Sequence, residues 1–114
     1  MTTVYASGDW VVREGCEAAF GECWSRFLDW TTEEVAGLRW ALLLSEGEGT
    51  RHFVSVAEWD SPAHRDAWRT HPDFARHLGP CRALCEESRG ADYSLVAGAG
   101  PEPATDAEAK RVGL

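Results

Sequence analysis

Residues 51–59 read Arg-His-Phe-Val-Ser-Val-Ala-Glu-Trp, and the architecture turns on how they alternate. Successive side chains of a strand point to opposite faces. Phe53, Ser55, Ala57 and Trp59 therefore share one face, and His52, Val54, Val56 and Glu58 share the other. Apolar groups stand on both, so both faces of the sheet need cover.

Working outward, the run Leu38 to Ser45 (LRWALLLS) precedes this strand across Glu46-Gly47-Glu48-Gly49, a polar, glycine-containing connector suited to a hairpin. These are strands two and three, antiparallel. Upstream, Thr3 to Val12 alternates β-branched and aromatic residues until Arg13-Glu14-Gly15 interrupts it, which predicts strand one. Between them, from Gly15 to about Val35, Cys16, Phe20, Cys23, Trp24, Phe27 and Leu28 recur at steps of three, four and seven, the spacing of an amphipathic helix.

Downstream, Asp60-Ser61-Pro62 supplies a helix cap followed by a first-turn proline, and Ala63, Ala67 and Trp68 begin a helical pattern. His71-Pro72-Asp73 breaks it before a second piece carrying Phe74 and His77. Gly79-Pro80 predicts a further break, with a new turn through Cys81, Leu84 and Cys85. Strand four is expected at Asp92 to Ala97 (DYSLVA).

The order βαββαβ defines an α+β, ferredoxin-like domain with a four-stranded antiparallel sheet and its helices on one face. The uncovered, partly apolar second face calls for a partner sheet, so the expectation is a homodimer through the sheet, a dimeric α+β barrel. The domain is placed at residues 1–98. Residues 99–114, rich in Gly, Pro, Ala and charge, are expected to form a flexible C-terminal tail.

The chain's 114 residues suit one core, and 11 basic against 19 acidic residues give a formal charge of −8. Such a field repels phosphate backbones and anionic lipid, so neither nucleic acid nor membrane is an expected partner. The sequence carries no signal-peptide pattern and no apolar run near the roughly 20 residues a membrane span needs, so a cytoplasmic location is expected. Cys16, Cys23, Cys81 and Cys85 are then reduced thiols that pack as small apolar groups.

Tryptophans at positions 10, 24, 30, 40, 59 and 68 are many for so short a chain. Most fill the core, but Trp59, Trp68 and Trp10 are candidates to wall a pocket for a flat aromatic substrate. His77 is the candidate base, because an imidazole titrates near neutrality. Tyr5, Arg39 and Arg76 are candidates for binding phenolates or carboxylates. His52 points away from Ser55 and is expected at the dimer face. His77, Cys81 and Cys85 are spaced four apart, but the expected break at Gly79-Pro80 spoils the geometry, and no metal site is expected. No glycine-rich phosphate loop or nucleophile elbow is present.

The segment Phe53 to Phe74, FVSVAEWDSPAHRDAWRTHPDF, resembles the antibiotic biosynthesis monooxygenase family: a strand ending in Trp, a short acidic or serine turn, then a helix leading to a Pro-aromatic step. The resemblance extends over about residues 3 to 98. It implies a cofactor-independent monooxygenase, or a related tailoring enzyme such as a cyclase, acting with O₂ on an aromatic polyketide-like anthrone or hydroquinone. In such members Asn stands four residues before the strand's Trp. Here Trp59 is kept and Ser55 takes the Asn position, where its hydroxyl offers one donor instead of two. The family also contains haem-degrading enzymes, in which an Asn on strand one, a Trp on the later helix and a His two to three turns beyond form the site. Trp68 and His77 fit the last two, whereas Tyr5-Ala6-Ser7 stands in the first region of a chain with no Asn. A haem-binding or haem-degrading protein is thus one alternative, and a non-catalytic ligand-binding or stress-response dimer is another.

Overall fold

The computed structural model describes residues 3–101. Strand β1 (Val4–Val12) leads to helix α1 (Glu17–Glu34), the hairpin β2 (Leu38–Ser45) and β3 (His52–Trp59), helices α2 (Pro62–Arg69) and α3 (Phe74–Ala83), and strand β4 (Cys85–Ser94). The strands form one antiparallel sheet in the order β2-β3-β1-β4, the ferredoxin-like arrangement expected from the element order.

Local chemistry explains the boundaries. Gly37 has φ 96°, a left-handed conformation that turns the chain from α1 into β2, and a Cβ there would also collide with the His64 ring. Ser61 caps α2 by accepting a hydrogen bond from the His64 backbone N–H at 3.2 Å, with Pro62 filling the first turn.

Two expectations are corrected. Gly79-Pro80 does not break the helix: α3 runs unbroken from Phe74 to Ala83 with Pro80 inside it. Leu78 and Cys81 on either side are buried against the core, and that packing offsets the missing N–H. His77 and Cys81 therefore stand on one continuous helix, with Cys85 just beyond it at the start of β4. Strand four begins at Cys85 rather than Asp92 and ends at Ser94. Its sequence, CEESRGADYS, lacks the apolar alternation of a strand. It is recruited by the open edge of β1, with Gly8 opposite Gly90 and Val4 opposite Ser94. Leu95 and Val96, expected within the strand, lie beyond it and are exposed. Most of the expected tail, residues 102–114, lies outside the described residues.

The sheet's two faces differ. Val4, Ala6, Trp10, Val12, Ser55 and Trp59 face the helices and are buried with Phe20, Trp24, Phe27 and Trp30 of α1, Trp68 of α2 and Leu78 of α3. The opposite face carries Trp40, Leu42 and Leu44 of β2, with Leu42 and Leu44 51% and 49% exposed, and Tyr93 of β4, 57% exposed. At its rim His52 lies between Asp9, with Nε2 2.6 Å from Oδ1, and Glu46. Those two carboxylates, Glu46 foremost, raise the His52 pKa above its ordinary value.

Candidate functional site

Between the inner face of the sheet and the helices lies a cavity of about 100 Å³. Its floor is β1 and β3, through Ala6, Gly8, Trp10, Ser55, Ala57 and Trp59. The helices close it with Trp24, Phe27 and Thr31 from α1, Trp68 from α2, and Phe74 and Leu78 from α3. Exposed Arg82, Ser88 and Gly90 border it where α3 passes into β4. Ligand pockets typically run to ~300–1,000 Å³, so a polycyclic molecule must displace side chains as it enters.

The rings pack on one another rather than on aliphatic groups. Trp59 and Trp68 lie 5.0 Å apart between centroids, Trp10 and Trp24 meet edge to face at 5.5 Å, and Phe74 stands edge-on to Trp68 at 5.0 Å. Two of the four cavity indoles spend their N–H within the chain: Trp10 Nε1 donates to Ser55 Oγ at 3.1 Å, and Trp68 Nε1 donates to Thr31 Oγ1 at 3.1 Å. The other two, Trp24 Nε1 and Trp59 Nε1, are buried without a hydrogen-bond partner among the described residues, and Trp59 is 0% exposed. An N–H that has lost water without gaining an acceptor costs on the order of 1–3 kcal/mol, and an oxygen brought by a ligand would recover it.

Gly8 makes this arrangement possible. A Cβ on it would lie 2.5 Å from Trp10 Nε1 and 2.7 Å from Ser55 Oγ. Only a bare backbone lets the Trp10 indole fold across β1 onto Ser55.

Of the residues singled out from the sequence, Ser55, Trp59, Trp68 and Trp10 converge on the cavity. The others stand elsewhere. Tyr5 is on the opposite face of the sheet, 6.2 Å from the Trp40 ring. Arg39 sits at a register irregularity of β2 and ion-pairs with Glu58 at 3.4 Å and Asp60 at 3.7 Å. Exposed Arg76 pairs with Asp73 at 3.3 Å along α3. His77 is not in the lining; its ring stacks on Trp30 at 4.6 Å between centroids. The haem alternative's Trp68 and His77 are therefore not brought to one cavity. Among the described residues no group of three or more His, Cys, Asp or Glu side chains is placed to hold a metal ion.

Arg69 reaches the cavity edge from α2 but is committed: its Nη1 donates to Asp92 Oδ2 at 2.7 Å, and its guanidinium lies 5.8 Å over the Trp68 ring. That hydrogen bond holds the Asp92 carboxyl below the usual carboxylate range. Gly8, Trp24, Phe27, Thr31 and Phe74 were not singled out from the sequence as site residues. For Trp24, Phe27 and Thr31 the signal was available, since steps of three and four place them on one face of α1. For Gly8 it was a lone glycine within a strand.

A ferredoxin-like sheet whose helical side encloses a tryptophan-walled cavity defines a class of small α+β domains with an aromatic interior. Within it, the chain belongs to the antibiotic biosynthesis monooxygenase family, whose sequence model matches residues 3–78. Solved structures agree on the fold. SnoaB, a cofactor-independent oxygenase from Streptomyces nogalater, is 22% identical and superposes with a TM-score of 0.78 over 90% of this chain and 100% of its own. A family protein from Bordetella bronchiseptica is 16% identical, with a TM-score of 0.73 over 85% of this chain and 100% of its own. One from Chloroflexus aurantiacus is 15% identical, with a TM-score of 0.68 over 87% and 98%. No curated protein matches the sequence. No helix among the described residues is long and apolar enough to cross a membrane.

Proposed function

We propose that this chain is a cytoplasmic, cofactor-independent monooxygenase that oxidises an anthrone- or hydroquinone-like aromatic polyketide, working as a homodimer joined through the open face of its sheet. The observation that carries this reading is the unpartnered, buried Trp59 N–H in an aromatic cavity beside Ser55. Family membership and the fold shared with SnoaB support it.

The substrate is its own reductant. A bound phenol stacked between the rings presents its oxygen to the Trp59 N–H, which stabilises the phenolate in a site poor in water. No carboxylate or imidazole is in the cavity lining, so the proton leaves to solvent past Arg82 and Ser88. The anion passes one electron to O₂, and the resulting radical pair combines at the reactive ring carbon as a peroxide. Loss of water then leaves a carbonyl. For an anthrone the balance is one CH₂ and one O₂ giving one C=O and one water. Ser55 Oγ accepts from Trp10 and keeps its own O–H available as a second donor to the peroxide.

The test is turnover of a reduced anthrone by metal-free protein in air and under nitrogen. Turnover in air alone is expected. Ser55→Ala should slow it by about tenfold, the loss of roughly one hydrogen bond's worth of transition-state stabilisation. Equal turnover under nitrogen would exclude oxygenation.

A further inference from the structure

The four cysteines fall into two neighbouring pairs where α1 packs on the α3–β4 junction. Cys16 stands at the N-cap of α1 and Cys23 within it, seven residues on. Cys23 of α1 and Cys81 of α3 both pack on the hydrophobic core, within hydrogen-bonding reach of each other, whereas Cys85 at the start of β4 feels Cys16 only through a weaker charge interaction. All four are free thiols.

The pairs are not equivalent. Cys23 is partly exposed, and the Arg26 guanidinium, one turn along α1, donates from Nη2 to its Sγ at 3.3 Å. Cys81 is 0% exposed, and burial, with Cys23 beside it, pushes its thiol up to about 12. In the other pair, buried Cys85 donates its S–H to the Cys81 carbonyl at 3.5 Å. Arg13 is near enough to Cys85 to favour its thiolate, but its guanidinium donates to the Ala83 carbonyl, and no hydrogen bond from a cation reaches either sulfur among the described residues. One pair thus combines an accessible sulfur beside a cation with a protonated partner behind it, the arrangement of a reactive and a resolving thiol.

We propose that Cys23 is a peroxide-reactive thiol and that Cys81 resolves it into a Cys23–Cys81 disulfide. The Cys23 thiolate attacks one oxygen of hydrogen peroxide; the O–O bond breaks, a sulfenic acid forms, and the departing oxygen takes up a proton as water. Cys81 Sγ then attacks the sulfenic sulfur, the S–O bond breaks, and the Cys81 proton leaves with the hydroxide as a second water. Two thiols lose two electrons, and one peroxide is reduced to two waters. The bond ties α1 to α3, the helices that supply Trp24, next to Cys23, and Arg82, next to Cys81, to the cavity wall. Oxidation therefore clamps the wall that a large ligand must displace.

The experiment treats the full chain with hydrogen peroxide and maps its cross-links by mass spectrometry without reduction. The expected product is a Cys23–Cys81 link that raises the melting temperature and is reversed by dithiothreitol. In Cys81→Ser, dimedone should trap a sulfenic acid on Cys23. In Cys23→Ser, no dimedone adduct should form on Cys81. The double variant Cys16→Ser/Cys85→Ser should oxidise as the unaltered chain does, which separates a specific reaction from general unfolding. A predominant Cys16–Cys85 link, comparable oxidation of all four thiols, or no oxidation where free cysteine is consumed would each overturn the assignment.

Discussion

The two faces of this sheet use similar residues for opposite ends. On the inner face, Trp10, Trp59 and Ser55 meet three helices, and every ring is buried among other rings. On the outer face, Leu42, Leu44 and Tyr93 are about half exposed, Trp40 packs beside Tyr5, and Trp40 Nε1 joins Trp24 Nε1 and Trp59 Nε1 as a third buried indole donor without an acceptor among the described residues. The inner side conceals two donors, Trp24 Nε1 and Trp59 Nε1, where a small ligand would sit. The outer face offers a broad apolar surface such as a second sheet would cover. Strand alternation alone sends neighbouring residues to these two tasks.

The largest effect should come from the inner face. Trp59→Ala removes a fully buried ring and should cost about 3–5 kcal/mol in urea unfolding. Trp59→Phe keeps most of the volume; it should lose affinity for a phenolic ligand while retaining most stability. A Phe variant binding as tightly as the parent would remove the N–H from the account.

Next is Gly8→Ala, which forces a methyl against Trp10 and Ser55 and should cost about 1–3 kcal/mol by overpacking. The same substitution at Gly90, whose Cβ would meet nothing nearer than the Ser7 carbonyl at 3.8 Å, should cost well under that. Equal losses would mean that the Trp10–Ser55 contact is not what requires glycine.

On the outer face, Leu42→Arg with Leu44→Arg should change the unfolding of an isolated chain by roughly 0.5 kcal/mol or less per site. Sedimentation should nevertheless shift from dimer to monomer. An unchanged sedimentation coefficient would mean that the sheet does not pair through this face.

The smallest effect is a pH dependence at His52. Its pKa is raised in the folded chain by Glu46 and Asp9. The stabilisation is therefore full below the unfolded value of about 6.5 and fades as pH rises through the higher folded value. His52→Ala should flatten the unfolding midpoint across that window, measured against the parent at several pH values.

Most of the fold was legible because it rests on local signals. The alternation of β1 to β3, the helical spacing of α1 and the Ser61-Pro62 start of α2 are written in adjacent residues. β4 was not, since residues 85–91 form a strand by borrowing the edge of β1, a tertiary effect. Pro80 misled for the same reason: local chemistry opposes the helix, and the burial of Leu78 and Cys81 overrides it. The cavity was partly legible. Parity places Ser55 and Trp59 together, and the same parity separates Tyr5 from Trp10, five residues away. The seat of His77 against Trp30 depends on how α3 is rotated over α1, which its own sequence does not state.

The central claim, that O₂ reacts with a substrate held against Trp59, is tested most directly by turnover of an anthrone under isotopically heavy O₂, followed by mass spectrometry of the product. The new carbonyl should carry the heavy isotope. A carbonyl oxygen drawn from ordinary water would contradict the account.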